Sequence, residues 1–289
     1  MIKLYKYVSF STGKIVLENQ NLRWSTPPLL NDPFDMQFLF QVRADRGAVK
    51  LLALQKLWVA HYGPGPVAST PNQLGVLIGG LQGSFPQLSR EEFDCEFGEA
   101  IDECFEVLYS RLPDRAREIW EIFQNDKILC LSEVPDSIVM WSYYAQNHAG
   151  MVLCFRDAVG PDGPWRMARP VSYVDEVPSL FTEDALSEIL AGQHSIDLPH
   201  VLDMVCFTKS RHWEHEREWR IYAGAGRTQG PYEDIPFNAL ELDSVILGCR
   251  MPKQERMYVV DLISRRYLKT VMFQAVTRSD AYALNIVPF

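Results

Sequence analysis

The segment Phe207–Gly224, FTKSRHWEHEREWRIYAG, sets Glu214, Glu216 and Glu218 at alternate positions between Trp213 and Trp219, then runs into Arg220. On an extended strand alternate side chains share a face, so Glu216, Glu218 and Arg220 would project together, with Arg217, Trp219, Ile221 and Ala223 on the other side. Carboxylates stacked about 7 Å apart repel unless a cation, a polar ligand or open water compensates them. Two readings follow. The face is the working edge of an active site, or it is a solvent-facing ladder in which Arg220 simply neutralises Glu218. Trp213 and Trp219 read as core anchors for this strand.

Two further stretches carry candidate chemistry. MWSYYAQNHAG, 140–150, places Trp141, Tyr143, Tyr144, Asn147 and His148 at or near a helix C-terminus, where polar side chains line clefts. A histidine there is also favoured by the helix dipole, so His148 reads either as a site residue or as a cap partner. NDPFD, 31–35, puts the amide of Asn31 and the carboxylate of Asp32 on a proline-fixed loop, although both are ordinary turn formers. His212 and His215 lack the i, i+4 spacing of a helical zinc pair, and a strand would turn them to opposite faces, so no metal is expected. The chain shows no GxSxG elbow, P-loop or GxGxxG fingerprint.

The elements that must position these groups can be read from pattern. Residues 2–8 and 21–26 read as strands with Ser11–Lys14 as the turn between them. STPPLLNDPFD cannot continue a ladder, because Pro27, Pro28 and Pro33 lack an N–H. A helix follows up to Gly63, its C-cap. Residues 63–88 are rich in Gly and Pro and read as an irregular flap. Ser89 with Glu92 forms a capping box for a helix through Leu112, and a second helix covers about 116–124. KILCLS reads as a buried strand, and Asp136 or Ser137 caps a short helix that Gly150 ends. Strands are expected at 151–155 and near 171–174, 218–223 and 243–248, with helices near 183–191, 197–205 and 253–267. TVMFQAV and YALNIV supply two strands at the C-terminus. The sum is an α+β single domain with a mixed or antiparallel central sheet and a helical insertion at about 45–125.

A chain of 289 residues with 47% hydrophobic composition can bury a large core. A formal charge of −9 argues against a protein whose main task is gripping nucleic-acid backbone. The six cysteines form no close pair and read as reduced, buried small hydrophobes. MIKLYKYVSF has no signal-peptide organisation and no apolar run suits a bilayer, so a cytoplasmic protein without membrane partners is expected.

Taken in order, LYKY at 4–7, NDPFD, CLSE at 130–133, MWSYYAQNHAG, KSRHWEHEREWR at 209–220 and VILGCRM at 245–251 resemble the bacterial domain of unknown function 2971 family. That family has an NDPFE-like loop, an MW–Y–H–G segment and a K…W..E.EWR segment; Asp35 stands here where glutamate is usual. A second resemblance, to ADP-ribosyltransferases, lies in the order of a polar residue on the first strand, Ser-Thr on the next and a late Glu-x-Glu. It implies an ADP-ribosyltransferase-like sheet and NAD as a substrate. Tyr5 or Lys6 would take the first position, Ser25 and Thr26 the second, and Glu216 and Glu218 the third. An arginine or histidine, usual at the first position, is missing. Under this resemblance an aromatic such as Trp141, Tyr143 or Tyr144 stacks on nicotinamide, and Lys209 or Arg220 meets a diphosphate oxygen. It also implies a protein or nucleic-acid acceptor and a role in bacterial stress or phage defence. The competing expectation is a non-catalytic module of a defence system that senses a nucleotide-like small molecule or serves as an interaction module.

Overall fold

The computed structural model describes residues 3–36, 44–63, 71–81, 84, 86–157, 163–179, 181–195, 198–224 and 226–289. The chain is α+β with a large mixed sheet. It resolves into two compact units: Met1–Met36, Ile122–Asp175 and Cys206–Phe289 form the first, and Gln37–Glu121 with Glu176–Val205 form the second.

The first unit carries the strands β1 (Lys3–Val8), β2 (Asn21–Ser25), β3 (Ile128–Ser132), β4 (Met151–Arg156), β5 (Arg169–Pro170), β6 (Ser172–Val174), β7 (Thr208–Ser210), β8 (Glu218–Tyr222), β9 (Tyr232–Pro236), β10 (Leu242–Leu247), β11 (Val271–Thr277) and β12 (Leu284–Pro288). The main sheet runs β12-β11-β10-β4-β1-β3-β2-β9, with β8 attached to β3 and β5 to β8; β6 and β7 pair separately. Only β10–β11 is parallel in the main sheet among the described residues, as is the small β6–β7 pair.

Side-chain alternation builds a core on each face. Met151, Leu153 and Phe155 of β4 and Val245 and Leu247 of β10 turn one way, against Val16 and Leu17 of the helix Phe10–Asn19 and Val259 and Ile263 of the helix Lys253–Arg266. Val152 and Ile246 turn the other way, against Met140, Trp141 and Ala145. Full burial of such a side chain contributes about 1.5–3 kcal/mol, so β4, buried on both faces, anchors the unit.

Three expectations need correction. Ser11–Lys14 is not a turn but part of the helix Phe10–Asn19, capped by Ser9, whose side chain accepts from the Thr12 N–H. Gly13 is needed there for packing: a Cβ would stand 2.6 Å from the Met151 sulfur. Left-handed Gln20 (φ 55°) then turns the chain into β2. Second, the helices expected on either side of residue 113 form one helix, Arg90–Phe123, that passes through Pro113. A proline removes one helical hydrogen bond, while Arg115–Glu118 and Asp114–Arg117 pairs bridge the turns around it. Third, Cys95 and Cys104 are exposed; Cys154 and Cys206 are buried, and all six thiols are free.

The second unit is helical, built on Arg46–Tyr62, Gln73–Leu81, most of Arg90–Phe123, Glu183–Leu190 and most of Leu198–Cys206. The expected insertion at 45–125 lies largely in it, joined by 176–205. Ser89 and Glu92 make the reciprocal capping box, with Ser89 N–H donating to Glu92 Oε2 (2.9 Å) and Glu92 N–H to Ser89 Oγ (3.2 Å). The irregular flap at 63–88 lies partly outside the described residues; within it Gln73–Leu81 is helical. No helix among the described residues is long and apolar enough to cross a membrane.

Candidate functional site

A split in the main sheet makes room for a cleft. Strand β3 pairs along its length with β8, but among the described residues it meets β1 only at Tyr5↔Ser132 and β2 only at Ser25↔Ile128. Between those contacts the Lys6 ammonium donates to the Cys130 carbonyl (2.8 Å), the place a neighbouring strand would occupy. The resulting cavity, about 250 Å³, is walled by residues of β1, β2, β3 and the 29–35 loop.

Its floor comes from the acidic segment. Thr208–Ser210 leads into a 3-10 turn, Arg211–Glu216, capped by the Ser210 side chain. Left-handed Arg217 (φ 44°) then passes the chain into β8. Glu218 and Arg220 share one face of β8 by alternation. Glu216 is not on the strand as expected; the left-handed residue brings it to the same floor from the turn before.

There Lys209 Nζ meets Glu216 Oε2 at 2.6 Å, Glu218 Oε2 at 3.0 Å and Asp35 Oδ2 at 3.6 Å. Arg220 donates from Nε to Glu218 Oε1 (2.8 Å), from Nη2 to Asp35 Oδ2 (2.6 Å) and Glu218 Oε2 (3.0 Å), and from Nη1 to the Cys206 carbonyl (2.9 Å). Tyr144 O–H donates to Glu216 Oε1 (2.6 Å) and accepts from Asn31 Nδ2 (2.8 Å). Three carboxylates face two cations on the floor, and the Lys6 ammonium lines the same cleft. Buried charges persist only when paired and hydrogen-bonded, and this set largely is.

Burial alone would raise the Glu218 carboxyl pKa, but the Arg220 and Lys209 cations outweigh it and hold the value at about 2. Burial would likewise lower Lys209, and Glu218, Glu216 and Asp35 reverse that to a raised pKa. Arg220 is raised for the same reason, with Glu218 the foremost opposing charge. Burial, then the bond to Glu216, raises the Tyr144 phenol; burial first, then Cys154, pushes Tyr5 up to about 12.

Of the residues singled out from sequence, Tyr5, Lys6, Ser25, Asn31, Tyr144, Lys209, Glu216 and Glu218 line this cleft, and fully buried Arg220 braces its floor. Others do not line it, exposed Tyr143 and Asn147 among them. Thr26 donates its hydroxyl to the Pro231 carbonyl (3.0 Å). Asp32 closes its own turn by accepting from the Phe34 N–H (2.9 Å). Trp141 is wholly buried in the core, its indole N–H on the Pro135 carbonyl (2.8 Å), and so is no stacking platform for a ligand. His148 stacks on Trp141 (6.2 Å, 9° between planes), sits 3.1 Å from Ser142 Oγ, and has its pKa lowered by burial and then by Arg250. It closes a left-handed turn, Gln146–His148 (φ 52°, 51° and 69°), held by Gly150 N–H on Ala145 O and Arg250 N–H on His148 O. His148 is therefore a helix-end fastening. Trp213 and Trp219 are half-buried; Trp219 packs against the core and donates to Glu133 (3.0 Å), and Trp213 carries Lys209 over its ring at 5.0 Å.

Sequence reasoning passed over Asp35, Tyr7 and Arg23, which also line the cleft. Arg23 stacks on Tyr232 (3.7 Å) and grips Asp234 with two bonds of 2.9 and 3.0 Å. The alternating pattern of NLRWS held a signal for Arg23, since Leu22 and Trp24 bury and Arg23 must face the other way. Asp35 was marked only as a position of the NDPFE-like loop, and its role stayed hidden because its partner Arg220 is 185 residues away. Fold and site together define an α+β protein with a polar cleft over a buried, charge-compensated floor. No protein-family model, curated protein or solved structure matches the chain.

Proposed function

We propose that the cleft binds NAD and that the protein is an ADP-ribosyltransferase-like enzyme or NAD glycohydrolase of bacterial stress or phage defence, in keeping with the resemblances of its motifs. The observation that carries this reading is the pair of carboxylates, Glu216 and Glu218, facing the cavity. A nicotinamide riboside end is itself a cation, and cleaving it moves positive charge to the sugar. The C1′–N bond breaks with its electron pair going to the ring nitrogen. An oxygen of water or of a target side chain then bonds C1′ and gives up its proton. Carboxylates held against the ribose stabilise that transition state more than the ground state. Arg220 and Lys209 keep Glu218 ionised, and Tyr5 and Tyr144 offer aromatic surface to the ring. The cavity of about 250 Å³ suits the nicotinamide riboside end rather than the whole dinucleotide.

A second reading has its own support. Each glutamate of the floor already accepts from Lys209, Arg220 or Tyr144, which fits a module that binds a nucleotide without turning it over. Labelled NAD separates the two. Nicotinamide release or label transfer, cut about 100-fold or more in Glu218→Gln, is expected of the enzyme; saturable binding without release selects the sensor. Absence of NAD binding removes the enzyme reading and excludes NAD as the sensed nucleotide.

A further inference from the structure

One floor oxygen has no partner among the described residues. Asp35 lines the cleft and accepts at Oδ2 from Arg220, while its Oδ1 is buried and meets no hydrogen-bond donor among the described residues. Its side chain is 2% exposed, so water does not freely solvate that oxygen. A buried acceptor left this way carries a desolvation penalty that a ligand donor relieves. On the cleft wall, Lys6 has no carboxylate within ion-pair distance among the described residues; its ammonium rests on the Cys130 carbonyl alone. The lining cations Lys209 and Arg23, by contrast, are each matched by carboxylates.

From this we infer that the cleft recognises a ribose 5-phosphate unit, with a sugar hydroxyl donating to Asp35 Oδ1 and a phosphate oxygen replacing the Cys130 carbonyl on Lys6. A hydroxyl supplies the missing donor without adding another charge to the floor. Lys6 supplies a cation that can leave a neutral carbonyl for an anionic oxygen, a stronger acceptor. This deepens the NAD reading, from which it takes the ribosyl class of ligand, and assigns a recognition role to two residues outside the Glu216–Glu218 pair.

Calorimetric titration with ribose 5-phosphate, and with tetrahydrofurfuryl phosphate, which lacks every ring hydroxyl, tests it without NAD. Wild type should bind the sugar phosphate roughly 10- to 100-fold more tightly, the scale of one hydrogen bond to a charged group. Asp35→Asn should shrink that preference several-fold, whereas a purely structural role would weaken both ligands by one factor. Lys6→Met should weaken both phosphates and leave unphosphorylated ribose unaffected, which keeps the test decisive if Asp35→Asn fails to fold. The inference is overturned if wild type binds neither phosphate, binds both equally, or keeps its full preference in Asp35→Asn. Ribose 5-phosphate binding without NAD binding removes the NAD reading and leaves this one standing; NAD binding that Asp35→Asn and Lys6→Met do not alter does the reverse.

Discussion

Arg46, Lys50, Asp102 and Glu106 in the helical unit use the same side-chain chemistry, at nearly the same distances, as the cleft floor of the sheet unit. Arg46 meets Glu106 at 2.7 Å and Lys50 meets Asp102 at 2.6 Å, against 2.6 Å for Lys209 with Glu216 and for Arg220 with Asp35. What separates them is water. The Arg46 and Glu106 side chains are 41% and 72% exposed, whereas Arg220 and Asp35 are 0% and 2% exposed. In the first set attraction is screened and each ion loses little hydration on pairing, so removing a partner leaves a solvated charge. In the second, hydration is already lost, and removing one ion strands another in a poor dielectric. Geometry alone would have ranked the two sets as equals.

The sharpest way to break this comparison is Arg220→Met. It leaves Asp35, Glu216 and Glu218 with Lys209 as their single buried cation, and should destabilise the fold by about 3–5 kcal/mol in urea denaturation. A loss under about 1 kcal/mol would mean that the floor is wet and behaves like the helix pairs.

Acid titration comes next. The folded-state pKa of Glu218 is depressed from an ordinary 4.5 to about 2, so its contribution is fully present above 4.5 and drains away as pH falls toward 2. Lys209 is raised above 10.5, so its contribution is intact below that value and fades at higher pH. Urea midpoints should therefore fall through that acid window in wild type, with a shallower slope in Glu218→Gln. Equal slopes would show that Glu218 is not held down by its two cations.

The smallest effect belongs to the other side of the comparison. Arg46→Ala should leave the thermal midpoint almost unmoved, and what change there is should disappear in 1 M salt, where exposed charges are screened. A salt-insensitive drop would place Arg46 with the buried set.

Much of the local structure was legible. The Ser89–Glu92 box, the apolar spacing from Phe93 to Leu112 and the run at 151–155 were each read from a few neighbouring residues and each formed. So did the grouping of Glu218 with Arg220, because alternation on a strand needs no distant partner. Ser11–Lys14 misled because its turn-forming residues also suit a helix start once Ser9 caps it and Gly13 fits against Met151, a contact made across 138 positions of sequence. His148 and Trp141 carried the residue types of a site but were spent on a helix end and a core.

Composition and short-range pattern thus determined the α+β class, most of the elements and the identity of the acidic strand. Tertiary structure alone decided that β3 would separate β1 from β2 to open a cleft, that Asp35 would reach Arg220, and that Lys209 would neutralise both glutamates. The reason is physical: helix periods, caps and strand alternation are set by contacts within a few residues, whereas burying five charges together depends on which distant segments the closed chain excludes from water, and no local pattern encodes that.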